Sequence, residues 1–252
     1  MLSHLKSPKR IKAALIHFGI SLSSFLLIFL VLLGFWYPEP FFSSEGGWLG
    51  LKIVAGVDVV LGPLLTLIVF NPEKNRRELT TDIGLIVLVQ MTALIWGIHT
   101  VYEQRPVAVV YWDDSFMTVP AKALTEQNYP LSNLTTFSKD HPAIIYAEKP
   151  TKLDDLKKLL EEMNKNQLPP HQQTWLYRPL KEHFDDIKEY QVNIDELMEK
   201  NVTAKLRLTE WLQKNQHQLH DLRYFLLKSK YHNAILFFDQ KGQLLGYLDP
   251  KE

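Results

Sequence analysis

The sequence predicts an α-helical membrane bundle of three transmembrane helices, followed by a C-terminal α+β extracytoplasmic domain with a small antiparallel sheet. Three long apolar runs lie within residues 13–102, whereas residues 103–252 have the mixed composition of a soluble domain. Basic residues are concentrated in alternate segments between the runs, as membrane proteins arrange them. The expected boundaries are a cytoplasmic tail 1–12, transmembrane helices 13–37, 48–70 and 83–102, an extracytoplasmic loop 38–47, a cytoplasmic loop 71–82 and an extracytoplasmic domain 103–252.

The first run, residues 13–37, follows a segment that contains Lys6, Lys9, Arg10 and Lys12, so a cleaved signal peptide has to be considered. The run is far longer than the roughly 7–15 residues of a signal-peptide core, and no A-x-A-like cleavage site follows it. We therefore interpret it as an uncleaved signal-anchor helix. Each of the other two runs approaches or exceeds the roughly 20 residues that a helix needs to cross a hydrocarbon core.

The orientation follows from the positions of lysine and arginine in the short segments. The loop 38–47 contains neither residue, whereas the tail and the loop 71–82 both do. Because short cytoplasmic segments carry an excess of lysine and arginine, the tail and the loop 71–82 are expected in the cytoplasm, with the C-terminal domain outside. The residues that decide this topology are Lys9, Arg10, Lys74, Arg76 and Arg77.

Composition excludes several kinds of function. The chain has 28 basic and 28 acidic residues, and this balance gives no reason to expect a nucleic-acid partner. It contains no cysteine, which removes disulfides, cysteine metal sites and thiol catalysis.

The second apolar run contains an aspartate and a Gly-Pro pair. Ala55, Asp58, Gly62 and Thr66 recur every three or four residues and fall on one side of a helix, where small residues let another backbone approach closely. Pro63 cannot donate a hydrogen bond to the carbonyl one turn earlier, so a kink is expected. We call these five residues the polar seam.

Depth in the bundle predicts which residues meet Asp58. Counting from the outer ends of the three runs places Ser24, Gln90 and Thr92 within about one turn of its level. Their hydrogen bonds, or protonation, would lower the cost of a carboxylate in the membrane. The polar seam is therefore a docking face for another membrane helix, a proton site, or a contact that only holds the three helices together.

The extracytoplasmic domain shows hairpin and helix signals. The sequence predicts a hairpin over 107–119, a strand over 143–147 and a final hairpin over 234–248, with an antiparallel sheet. It predicts a helix over 151–165, capped by Thr151 and with one apolar face formed by Leu153, Leu156, Leu160 and Met163. Two further helices are expected over 179–190 and 203–215.

No reaction centre is predicted. His217, His220 and Asp221 have a spacing seen among metal ligands, but nothing completes a site, and there is no phosphate-binding loop or nucleophile elbow. We therefore expect a protein that is not an enzyme, with no catalytic residue, no cofactor and no metal.

One long motif resembles a known family. It comprises Tyr37-Pro38, then Gly46-Gly47-Trp48, then GVDVVLGPLLT from Gly56 to Thr66, followed by Phe70-Asn71-Pro72 and Arg76-Arg77. This pattern, with Pro38, Gly46, Gly47 and Trp48 as the signature of the loop, resembles the type IV pilin accessory proteins of the TfpZ/FimB-like family. The final hairpin also resembles that family, whereas residues 120–215 match it only loosely.

The resemblance implies a multi-pass protein of the bacterial inner membrane with a periplasmic C-terminal domain. It implies a chaperone or assembly factor in type IV pilus biogenesis that binds a cognate type IV pilin. Other pilus-assembly proteins of the inner membrane and the lipid bilayer are further expected partners.

Two other functions stay open from the residues themselves. One is a membrane-anchored receptor with a periplasmic sensing domain, although cytoplasmic segments of about 12 residues would require a signalling partner. The other is a proton-coupled transport component that uses Asp58, although three helices without an inverted repeat make a poor transporter.

Overall fold

The computed structural model describes residues 7–249, so Lys6 of the predicted tail and Pro250 at the C-terminal end lie outside the described residues. The chain divides into two compact units. The first consists of Met1–Phe42 and Gly46–Tyr102, and the second of Ser43–Glu45 and Glu103–Glu252.

Three long helices make up most of the first unit: Pro8–Trp36, Gly47–Val69 and Arg76–Gln104. By length and composition each is apolar enough to cross a membrane. Large side chains such as Leu27, Ile53 and Leu88 are about 60% or more exposed along them. Such surfaces are unfavourable in water, so these three helices indicate a membrane-associated protein.

The second long helix is irregular at the polar seam. It is α-helical over Gly47–Val54, π-helical over Ala55–Leu61 and α-helical again over Gly62–Val69. The N–H of Gly62 donates to the carbonyl of Val57, five residues earlier. A wider turn directly before Pro63 is a typical way for a helix to accommodate a residue that cannot donate. Asp58 therefore lies inside the π-helical segment.

Aromatic side chains pack the first unit where the first long helix ends. Tyr37 and Phe42 are buried there, and the Tyr37 hydroxyl donates to the Val101 carbonyl at 2.9 Å. The rings of Trp36 and Tyr102 lie 5.0 Å apart at a steep angle. The loop segment 38–47 contains a short helix, Phe41–Ser44, and its Phe42 side chain is buried among these aromatic groups.

The second unit is built on a sheet that corrects the predicted small antiparallel one. The described residues form a mixed seven-stranded sheet in the order β4-β3-β1-β2-β5-β6-β7. Strands β1 and β3 pair in parallel, as do β2 and β5, while the remaining pairs are antiparallel. The strands are β1 Pro106–Trp112, β2 Ser115–Pro120, β3 Ala143–Ala147, β4 Tyr177–Pro179, β5 Arg223–Lys228, β6 Ala234–Phe238 and β7 Leu244–Leu248.

Both predicted hairpins and the predicted strand β3 are confirmed, because short apolar segments bounded by polar turns leave a local signal. The parallel pairs were missed because each needs a long crossover, which leaves no signal in neighbouring residues. β5 joins the two hairpins, so the structure has one continuous sheet.

Helices lie beside this sheet, and one differs from its prediction. The helix Leu153–Lys165 starts two residues later than expected, and Thr151 does not cap it because Lys152 occupies the N-cap position. Leu153 and Leu160 of its predicted apolar face are 68% and 55% exposed, and Leu159 is the residue buried in the core. The other α-helices of at least five residues in the described part of this unit are Ala121–Thr125, Leu180–Ile187, Ile194–Lys200 and Val202–Asn215, and a 3-10 helix covers Leu131–Thr136.

Candidate functional site

A cavity of about 430 Å³ lies between the three long helices. Its wall is largely apolar, with side chains such as Ile16 and Leu94. Small-molecule sites commonly combine such a wall with a few polar groups. We call it the polar cavity, after the six polar residues that line it: His17, Ser21, Ser24, Asp58, Thr66 and Gln90.

The structure brings together most of the residues that depth matching predicted. Asp58, Ser24 and Gln90 line the polar cavity from three different helices. Thr92 does not line it, because its side chain is exposed and its hydroxyl donates to the Leu88 carbonyl of its own helix at 2.8 Å. The structure therefore does not bring Thr92 to the polar cavity that Asp58 lines. Counting depth fixes the level of a residue and leaves its direction around the helix open.

Two polar residues of the cavity were missed from sequence. The His17 Nδ1 lies 2.6 Å from the Thr66 hydroxyl, a hydrogen bond that joins the first and second long helices. Ser21 is 8% exposed and lines the same cavity. A signal for both was present, since His17, Ser21 and Ser24 are four and three residues apart and fall on one helical face.

The polar seam is partly covered by the chain's own helices. Gly62, Pro63 and Thr66 are buried, whereas Ala55 and Asp58 are half-buried. A Cβ added at Gly62 would overlap the amide group of Gln90 on the third long helix. Glycine therefore allows the Gln90 side chain to approach the second helix at this level.

Gln90 has an unusual environment. Its Oε1 atom is buried and has no hydrogen-bond partner among the described residues. Buried polar atoms are almost always hydrogen-bonded, and exceptions often mark a place where another molecule binds. The polar cavity thus contains an acceptor that residues 7–249 leave unused.

On the other side of the second helix, Pro63 lines an apolar groove of about 440 Å³ between the first and second long helices. Phe18 and Leu64 are among its other lining residues. None of the groove's lining residues is polar, so it has no chemistry that would select a ligand.

The residues that set the predicted topology lie near helix ends. Lys9, Arg76 and Arg77 are exposed, Arg10 is half-buried, and the Lys74 Nζ pairs with Asp82 at 2.5 Å. Exposed basic side chains are compatible with a contact to lipid headgroups.

The four residues of the loop signature have structural roles. Gly46 adopts a left-handed backbone with φ of 87° immediately before the second long helix, a conformation that favours glycine. Gly47 starts that helix beside the Phe42 ring, and Trp48 packs edge-on against the same ring at 5.2 Å. Pro38, half-buried, accepts a hydrogen bond from the Phe41 N–H at 2.9 Å.

Across residues 7–249, no three His, Cys, Asp or Glu side chains are close enough to hold a metal ion. His217 and His220 therefore lack a third ligand of these types within the described part of the chain. His217 stacks on the Trp211 ring at 5.7 Å instead.

Comparisons with known proteins give the chain a family. The family model described as "Fimbrial assembly protein FimB" matches residues 6–46. The fimbrial assembly protein of serogroups C1 and C2 from Dichelobacter nodosus is 40% identical over 100 residues, which are 40% of this chain and 76% of that protein.

Two other relatives from Dichelobacter nodosus are similar over a comparable stretch. The fimbrial assembly protein of serogroup E1 is 41% identical over 101 residues, 40% of this chain and 38% of the relative. That of serogroup I is 40% identical over 96 residues, 38% of this chain and 37% of the relative. No solved structure matches the chain. The chain belongs to the FimB family of fimbrial assembly proteins.

Proposed function

We propose that this protein is an inner-membrane accessory protein, a chaperone or assembly factor, that supports pilus biogenesis by binding a type IV pilin. Relatives that are named fimbrial assembly proteins support a role in pilus biogenesis. The observation that carries the finer proposal is the polar cavity between three apolar helices. Polar residues within membrane spans are costly and usually functional.

The proposed role needs no catalysis. A binding partner whose helix crosses the same membrane would meet the bundle sideways, where the polar cavity and the polar seam offer the groups that distinguish one helix from lipid. In this proposal the N-terminus lies in the cytoplasm and the C-terminal unit in the periplasm. The lysine and arginine bias of the short segments supports that orientation.

Co-purification tests partner binding. The full chain, extracted in a neutral detergent from a piliated host, is expected to retain the pilin. Asp58→Ala removes the carboxylate and Gly62→Leu forces a branched side chain into the place of the Gln90 amide, so both should reduce retained pilin and surface pili at unchanged protein level. Thr92→Val is the matched control, since it alters an intramembrane polar residue outside the cavity.

Normal piliation and normal pilin retention in both variants would refute a role of the polar seam in binding. Absence of pilin from the wild-type preparation, even after crosslinking in intact cells, would refute the proposed function itself. The orientation is tested separately by labelling single cysteines with a membrane-impermeant reagent, for which this cysteine-free chain is a ready background. If a cysteine introduced by Lys74→Cys were labelled in intact spheroplasts, the orientation of the chain would be the opposite of the one proposed.

A further inference from the structure

We propose that the polar cavity binds a primary ammonium group that a membrane-inserted segment of the partner carries. The proposal rests on the proposed function, because it names the chemical group by which the partner is recognised in the bundle.

Two acceptor groups of the cavity are left without a donor. No hydrogen bond reaches the Asp58 carboxylate from any residue between 7 and 249, and the Gln90 Oε1 is also unpartnered there. His17 is the other ionisable residue of the cavity, and its Nδ1 is already engaged by the Thr66 hydroxyl. An ammonium group brings three donors and a positive charge, which match a carboxylate, an amide oxygen and the hydroxyl of Ser24.

The size of the cavity selects the kind of ligand. About 430 Å³ is far more than the roughly 30 Å³ of one water, and it lies in the usual range of small-molecule sites. A whole helix, about 10 Å across, would not enter without displacing one of the three. The cavity therefore suits one long side chain or the end of a chain.

The depth of Asp58 distinguishes a protein segment from a lipid. Asp58 lies midway between Gly47 and Val69, about 16 Å from each end at 1.5 Å per residue. A lipid amine is held in the headgroup layer, outside a hydrocarbon core about 30 Å thick. A membrane-inserted peptide segment can deliver an ammonium group to the middle of this core, and pairing with Asp58 would compensate both charges.

The test uses the full chain in a neutral detergent with hexylammonium chloride as the probe and hexanol as its uncharged counterpart. Binding is followed as a ligand-dependent shift in thermal unfolding, from which the two dissociation constants are obtained. At about pH 8 the alkylamine is protonated. We expect hexylammonium to bind at least about tenfold more tightly than hexanol.

Variants assign that preference to the cavity. Asp58→Asn keeps the shape of the side chain and removes its charge, so the tenfold preference should disappear. Gln90→Leu removes the unused acceptor while leaving Asp58 in place, and should weaken hexylammonium binding several-fold; it carries the test if Asp58→Asn fails to fold. Thr92→Val should bind both probes as the wild type does.

Three outcomes would overturn the proposal: equal affinities for the two probes, an unchanged preference in both Asp58→Asn and Gln90→Leu, or a loss of the preference in Thr92→Val. A tenfold weakening of hexylammonium when phosphatidylethanolamine replaces phosphatidylcholine in nanodiscs would identify a lipid amine as the occupant and refute the partner segment. Pilin that co-purifies with a chain showing no ammonium preference would refute this inference while leaving the proposed function intact. Ammonium binding without pilin retention would refute the proposed function while leaving the ammonium site intact.

Discussion

Replacement of Gly246 by alanine tests how the second unit is packed. Gly246 lies in β7 opposite Phe237 of β6. A Cβ added there would lie 2.8 Å from Cζ2 of Trp211 and 2.9 Å from both Cε2 and Nε1 of the same ring. Carbon atoms normally approach to about 3.5–4.0 Å, so a methyl group and the indole ring would compete for one space.

The ring is not free to withdraw. Trp211 belongs to the helix Val202–Asn215, and its ring packs edge-on against Phe237 at 5.1 Å and stacks on His217 at 5.7 Å. Overpacking of this kind costs about 1–3 kcal/mol. In a strand with open space the same substitution would stabilise by about 0.4–1 kcal/mol, because alanine restricts the unfolded chain. The steric cost exceeds this gain, so we expect a net destabilisation of about 1–2 kcal/mol.

Hydrogen–deuterium exchange of the full chain in detergent measures this locally. Since about 1.4 kcal/mol corresponds to a factor of ten, peptides from Ala234–Leu248 should exchange roughly 5- to 30-fold faster in Gly246→Ala. In a Trp211→Leu background the indole atoms are absent, and the same change should be neutral or protective. Equal acceleration in both backgrounds, or slower exchange in the wild-type background, would refute the steric argument.

Two further predictions concern the second unit. Burial lowers the pKa of His171 in the folded chain to about 4, from its ordinary value of about 6.5. Between these two pH values the unfolded chain is protonated at His171 and the folded chain is not, so acid favours unfolding. Urea unfolding should show stability that is complete above about pH 6.5 and decreases by a few kcal/mol as the pH falls towards 4. His171→Gln should flatten this slope, and an unchanged slope in that variant would contradict the assignment to His171. Asn201 caps the helix Val202–Asn215, because its side chain accepts a hydrogen bond from the Ala204 N–H at 3.0 Å. Asn201→Ala should therefore lower the free energy of unfolding by about 1 kcal/mol and accelerate hydrogen–deuterium exchange in that helix. Unaltered exchange there would show that the cap contributes nothing to stability.

Local patterns predicted a large part of the second unit. The final hairpin over Ala234–Phe238 and Leu244–Leu248 was predicted residue for residue, because a polar turn separates two short apolar segments. β5 was missed although its core residues, such as Phe225, are fully buried. Its antiparallel partner β6 follows directly along the chain, but its parallel partner β2 lies far earlier, so the place of β5 in the sheet depends on a distant contact.

The predicted helix Leu153–Lys165 shows the same limit in another form. Its apolar spacing correctly predicts a helix, yet burial selects Leu159 and leaves Leu153 and Leu160 exposed. Periodicity gives the apolar face of a helix, and only the position of the sheet decides how much of that face is covered.

For the candidate site, the sequence indicated which residues are unusual in an apolar span. It did not indicate which way each side chain points around its helix. Asp58, Gly62 and Pro63 were recognisable because a carboxylate, a glycine and a helix-breaking residue are each unfavourable in an apolar span without a compensating contact. Depth places Gln90 and Thr92 at similar levels, but the two differ by about 200° around the third helix, and of the two Gln90 lines the polar cavity. His17 was missed from sequence, although its ring forms a hydrogen bond with the Thr66 hydroxyl.

The sequence by itself determined three long apolar helices, a separate C-terminal α+β unit and the family to which the chain belongs, because hydrophobic length, composition and a contiguous motif are local properties. The tertiary structure decided which strands pair in parallel, which side chains line the polar cavity and which half of the polar seam is covered. Those features depend on rotation and packing between segments that are distant in the chain. Long-range contacts fix them, and no window of neighbouring residues contains that information.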